Sequence, residues 1–435
     1  MRRRFNRVLR WAAVVTSVSL GGAFVGAIGP ASASTPGVTS SQILFGSHQP
    51  LTGPAAPGYS EIAPAIQAFF NYVDSKGGIY KRKVKLMYEN DQYNPALTTQ
   101  VVQKQVLQDN VFGELAGLGT PTHEAVVKFL NQNKVPDLFV ASGCDCWNEP
   151  KLHPYTFGYQ PDYIIEGKIL GTYIKSHFKD QKVGVIYQND DFGGGGLKGL
   201  KMELPSSQIV VSQPYDPATL TNGLGTQVAA LKAAGAQVVV SFTIPAALAL
   251  ELLAQATIGY QPSALLTSSV SADPGTLAGL LSAFSKGKVT GNTLTNGIYT
   301  LGYLPSPSDT SDPWIKLFDQ IHAKYDQSQP IDGNMVFGMS LGYTTYLTLK
   351  AAGKNLTRQG LINALEKNAK NFRGPFLSKF GFSKSSHLGF LGERVAQLNN
   401  GAVGYVSPMY VTTPSPKAKV KVAKTVETGV PKALK

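Results

Sequence analysis

Residues 111–140 read VFGELAGLGTPTHEAVVKFLNQNKVPDLFV. Val111 to Ala116 is a short apolar strand that runs into Gly117-Leu118-Gly119-Thr120, Ala125 to Leu130 is helical, and Asp137 to Val140 is another strand. Parallel strands need a crossover between them, and a helix supplies it, so this stretch reads as one unit of a parallel sheet covered by helices.

The same alternation extends in both directions. Upstream, Ile43 to Gly46 and Val84 to Tyr88 are strands. Between them Ile62, Ile66, Phe69 and Val73 mark one buried helix face, which Gly77-Gly78 ends. Asn94-Pro95 opens a helix through Val101, Val102 and Val106. Downstream, strands are predicted at Val183 to Tyr187, Ile209 to Val211, Val238 to Phe242 and Ala264 to Thr267. Helices are predicted at Ile165 to Phe178, Leu197 to Leu204, Thr226 to Ala234 and Ala246 to Ile258. Two doubly wound α/β lobes therefore follow one another. Ile298 to Leu301 is a crossing strand, and helices at Trp314 to Tyr325, Phe337 to Ala352 and Gly360 to Lys367 return to the first lobe.

The 435 residues carry 43% apolar and 15% charged side chains, enough for large cores and unlike a disordered chain. Of the net charge of +13, five come from Arg2, Arg3, Arg4, Arg7 and Arg10. A net five more come from six lysines after residue 416 offset by Glu427, which leaves +3 for the body. Basic ends on a nearly neutral body make a poor nucleic-acid surface. The basic start, the apolar run from Trp11 to Ile28 and Ala31-Ser32-Ala33 form a secretory signal, residues 1–33, cleaved near Ala33. Residues 413–435 read as a basic, disordered tail. Cys144 and Cys146, one residue apart, leave a local disulfide and two free thiols both open. No further ligand stands nearby in sequence to complete a metal site.

In open parallel sheets, ligands bind at the carboxyl ends of strands. Thr120 suits a helix N-cap and Pro121 the first helical position, and the free amides beyond them would hold a carboxylate. A second small polar loop, Ala141-Ser142-Gly143, follows one unit later. Tyr59, Tyr93, Trp147, Phe192 and Phe242 fall in or beside such loops and would wall an apolar pocket.

Enzyme patterns fail on inspection. Gly193 to Gly196 follows a strand, but Asp190-Asp191 would repel a phosphate. Gly338-Met339-Ser340-Leu341-Gly342 matches a nucleophile elbow but lies inside a helical pattern with no Asp after it, so Ser340 is a helix-packing residue. The six histidines show no metal-ligand spacing. No catalytic residue, cofactor or metal is expected.

Pro50-Leu51-Thr52-Gly53-Pro54, Gly77-Gly78-Ile79, Asp91 with Asn94-Pro95, Gly117 to Thr120, Val135-Pro136, Gly338 to Gly342 and Ala351-Ala352-Gly353 recur in one order. In that order the chain, over residues 41 to 412, resembles the type I periplasmic binding proteins of the leucine/isoleucine/valine-binding group. The resemblance implies two Rossmann-like lobes joined by three hinge crossings. Lobe 1 would be residues 41–157 plus 302–372, and lobe 2 residues 158–301 plus 373–412. It implies an extracytoplasmic monomer that delivers a small-molecule ligand to a membrane ABC permease. A ligand sensor of the same fold and an exported hydrolase are the alternatives. Thr120 matches the hydroxyl that holds a ligand carboxylate, and Ala141, Ser142 and Gly143 the segment beside it. Phe192 stands where the family has a tyrosine, and Gly58, next to Tyr59, aligns with the first-lobe aromatic. Ser269 stands where the family places the acid for a ligand ammonium. Losing that charge-assisted partner would cost about 1.5–3 kcal/mol, roughly ten- to a hundredfold in affinity. The expected ligand is therefore a small amino acid or a related apolar or aromatic carboxylate or amide, with Ser269 counting against a zwitterion.

Overall fold

The computed structural model describes residues 35–434, so the predicted signal at residues 1–33 lies outside the described residues. The first sheet contains β1 (Gln42–Gln49), β2 (Lys83–Asn90), β3 (Gly113–Leu115), β4 (Asp137–Val140) and β5 (Thr156–Gly158), all parallel, in the order β2-β1-β3-β4-β5. The second sheet contains β6 (Val183–Gln188), β7 (Ile209–Tyr215), β8 (Val238–Phe242), β9 (Ala264–Thr267), β10 (Tyr299–Gly302), β11 (Gly392–Asn399), β12 (Ala402–Tyr405), β13 (Met409–Val411) and β14 (Lys421–Ala423). Its order is β14-β13-β11-β10-β9-β8-β6-β7, with β12 also paired to β11. Strands β6 to β10 run parallel, and every pairing from β11 onward is antiparallel.

The chain crosses between the sheets three times: after β5, after β10, and before β11. Between the second and third crossings, helices Pro313–Tyr325, Gly333–Ala352 and Arg358–Asn368 lie with the first sheet. Helix Gly333–Ala352 packs on helix Ile62–Ser75 through its small residues. A Cβ on Gly338 would stand 2.5 Å from the Ile62 carbonyl oxygen, and one on Gly342 would stand 2.8 Å from the Phe69 Cβ. Ser340 sits buried between them with no hydrogen-bond partner for its hydroxyl among the described residues. The nucleophile-like pattern is thus a close helix–helix contact.

Four differences from the sequence-based expectation stand out. Helix Pro274–Phe284, capped by Asp273 through the Thr276 amide, was not anticipated. Strand β5 is only three residues long, too short to show a period. Thr120 is the first residue of helix Thr120–Gln132 rather than its cap. Gly119 takes the cap position at φ +101°, where a Cβ would stand 2.4 Å from the Tyr93 ring. The basic tail is not loose. Its strand β14 completes the second sheet, Lys168 Nζ donates to the carbonyls of Thr413, Ser415 and Ala418, and the Val426 amide donates to the Leu377 carbonyl. Composition registers the lysines but not a buried amine that satisfies three tail carbonyls.

Candidate ligand site between the lobes

A cavity of about 170 Å³ lies between the two sheets at the carboxyl ends of their strands. The first lobe contributes Tyr59, Tyr93, Thr120, Ala141 and Phe337, and the second Phe192, Ser269, Val270 and Asp273. The segments about the crossings contribute Gln160, Tyr163 and Leu301 to Pro307. Six of the ten predicted residues line it: Tyr59, Tyr93, Thr120, Ala141, Phe192 and Ser269.

The other four do not. Ser142 stands behind Thr120, their hydroxyls 2.7 Å apart. Gly143 lies behind the wall, its carbonyl accepting from the Tyr163 amide at 2.7 Å. A Cβ there would meet the Pro161 carbonyl oxygen at 2.4 Å. Trp147 turns into a small separate core with Val127 and Val140 and meets the His123 ring edge-on. Phe242 ends β8 in the core, under Gly196, where a Cβ would stand 2.3 Å from its ring. Loop position alone does not give the direction of a side chain. Cys144 and Cys146 form a disulfide beside Glu124.

Several cross-cleft bonds hold the lobes together. Tyr59 donates its hydroxyl to the Val270 carbonyl at 2.8 Å, Gln188 Nε2 donates to the Tyr93 hydroxyl at 3.2 Å, and the Gly333 amide donates to Asp273 Oδ2 at 3.1 Å. Carboxyl groups gather around Asp273, which lines the cavity. Asp273 caps a second-lobe helix, Asp332 caps helix Gly333–Ala352, and Glu61 stands with them. Burial first, then the nearby Asp332 and Asp273, pushes Glu61 up to about 9, so it holds its proton at neutral pH.

The lining contains no Lys, Arg or His. Thr120 opens helix Thr120–Gln132 at this wall, and the leading amides of a helix have no partner within it. Beneath that loop runs a buried chain of four groups. His48 Nδ1 lies 2.8 Å from Asp91 Oδ2, His48 Nε2 lies 2.9 Å from His123 Nδ1, and His123 Nε2 lies 2.9 Å from Asp137 Oδ2. Burial lowers the His48 pKa, with Asp91 opposing. Gly117 is needed over this pair, because a Cβ there would stand 2.5 Å from His48 Nε2.

The side chain missed from sequence is Glu166, buried in helix Tyr163–His177. Its carboxylate accepts from Ser268 Oγ at 2.6 Å, from Ser269 Oγ, and from the Ser269 amide at 3.3 Å. Burial pushes it up to about 7, and the three donors oppose that. Glu393 on β11 is buried too and held well above the carboxylate range by burial and then by Glu166. The available signal was a lone Glu within the apolar run Tyr163-Ile164-Ile165-Glu166.

The sequence pattern of the periplasmic binding protein family matches residues 42–402. The chain belongs to the type I periplasmic binding proteins of the leucine/isoleucine/valine-binding family. Members of this family are binding proteins rather than enzymes, and membership implies an extracytoplasmic location. Among relatives, "Leu/Ile/Val-binding protein homolog 7" of Brucella abortus is 25% identical over 239 residues, 52% of this chain and 58% of the relative. The match thus spans little more than half the length of that relative. A branched-chain amino acid ABC transporter protein from Thermus thermophilus with bound valine superposes with a TM-score of 0.75 at 19% identity, covering 87% of this chain and 98% of that one. A fatty acid ABC transporter substrate-binding protein from Thermomonospora curvata gives 0.75 at 21% identity, covering 90% and 97%. At these identities the two structures are evidence of fold. Among the described residues, no helix is long and apolar enough to cross a membrane.

Proposed function

We propose that the chain is the extracytoplasmic receptor of an ABC importer, closing on one small amphipathic solute with an apolar body, such as an aliphatic or aromatic α-amino acid. The observation that carries this is the pairing of two unlike poles in one apolar cavity. Thr120 and its helix N-terminus stand on the first lobe, and Ser269 backed by Glu166 stands on the second. The first pole would hold a carboxylate. At the second, Ser269 spends its hydrogen on Glu166, so its remaining lone pairs accept from a ligand ammonium or N–H. The serine that argued from sequence against a zwitterion thus has a carboxylate behind it, supplied by a different helix. Ligand-binding roles are proposed for Tyr59, Tyr93, Thr120, Ala141, Phe192 and Ser269, with Glu166 as a positioning residue.

A second candidate ligand is an apolar monocarboxylate, favoured by the extension of the lining along Leu304, Pro305 and Pro307. Isothermal titration with leucine, phenylalanine and their desamino acids tests both. The receptor role requires one-to-one binding with the solute recovered unchanged. Chemical conversion of the solute, or no binding by any of the four, would defeat it.

A further inference from the structure

A second cavity, of about 750 Å³, opens beside the C-terminal strand and shares no lining residue with the cleft. Its larger apolar residues are Leu391, Met409, Val411 and Val426. Lys379, Lys417, Lys419, Lys421 and Lys424 also line it, all exposed, and the lining holds no carboxylate. Among the described residues none of these five ammonium groups has an ion pair or hydrogen-bond acceptor. The one tail acid, Glu427, instead faces Asp312 and Asp309.

Like charges repel, and a loose tail would let them spread apart. Here the backbone holds them together. Lys421 and Ala423 pair with Val411 and Met409, Lys168 Nζ gathers three tail carbonyls, and Val426 is tied to Leu377. A fixed lysine rim over an apolar floor complements a molecule with an anionic head and an aliphatic body.

We propose that this groove is a second binding site, for an anionic amphiphile: its phosphate-bearing head lies among the lysines and its acyl chain against Leu391, Met409, Val411 and Val426. A free amphiphile and a bilayer lipid share that chemistry. Each lysine near an anionic surface adds to the attraction, which falls off within a Debye length and weakens as salt rises.

The test is isothermal titration of the full chain with monomeric dihexanoyl phosphatidylglycerol, dihexanoyl phosphatidylcholine and glycerol phosphate. The K417Q/K419Q/K421Q/K424Q variant is run in parallel. The expected result is saturable binding of the phosphatidylglycerol, with at least about tenfold weaker binding of the other two probes. The same loss is expected in the variant and at high salt. Because these lysines are exposed, the variant should keep the parent melting temperature. Equal affinity for the choline lipid or for the head group alone, an unchanged variant, or no binding overturns the proposal. Sedimentation with vesicles, with and without phosphatidylglycerol, assigns the source. A lysine-dependent shift onto anionic vesicles identifies a bilayer lipid, and binding of the monomer alone identifies a free amphiphile.

Discussion

The hydroxyl of Ser269 donates to the carboxylate of Glu166, a buried side chain outside the cavity lining. Ser268 fastens the same carboxylate at 2.6 Å, which fixes the direction of the relay. Glu166→Gln keeps the shape but puts an amide where three donors converge. The expected result is a loss of about tenfold in affinity for an amine-bearing ligand and little change for its desamino partner. Titration of both ligands against both proteins reads this as a ratio, which a general loss of stability would not move.

Stability should fall as pH rises. Glu166 and Glu61 are raised in the folded chain to about 7 and about 9, while unfolded carboxyls titrate near their ordinary value of 4.5. Between the unfolded and folded values the native state binds more protons. Stability is therefore greatest below the unfolded value and is lost as pH climbs through the folded ones. Chemical denaturation at acid, neutral and alkaline pH should show a decline that continues past neutrality. Glu61→Gln should flatten its upper part, and a curve rising over that range would refute these assignments.

Tyr59→Phe removes a cross-cleft bond to the Val270 carbonyl and leaves the ring in the wall. The closed form should lose about 1 kcal/mol, seen as a roughly fivefold faster ligand off-rate in stopped-flow measurements. An unchanged off-rate would mean that this bond does not hold the lobes together.

Gly338→Ala forces a Cβ to within 2.5 Å of the Ile62 carbonyl oxygen. Overpacking of this kind costs about 1–3 kcal/mol, readable as a lower melting temperature. Ser340→Ala, two residues along the same helix, should leave solute affinity unchanged. A loss of solute turnover on that substitution would instead revive the hydrolase alternative.

The fold was legible because it is written in periods. Asp137–Val140, Val238–Phe242 and Ala264–Thr267 were placed to the residue, and most central helices to within a few positions. The late strands β11 to β14 were not placed, since they are antiparallel additions whose partners lie far away in sequence. The site was half legible. The strand-end rule located Thr120 and the family resemblance located Ser269, but the direction in which a loop's aromatic ring points is set by packing that neither one gives. Trp147 and Phe242 turn instead into the packing of their own lobes, against Val127 and Val140 and under Gly196. Glu166 lies 103 residues from Ser269 in the chain, a pairing that no local pattern encodes.

The most direct test of the central claim is titration of the chain with leucine and with 4-methylpentanoate, the same molecule without its amine. Two unlike poles predict one-to-one binding of leucine, at least about tenfold tighter than the desamino acid. Equal or tighter binding of 4-methylpentanoate would contradict an acceptor pole at Ser269.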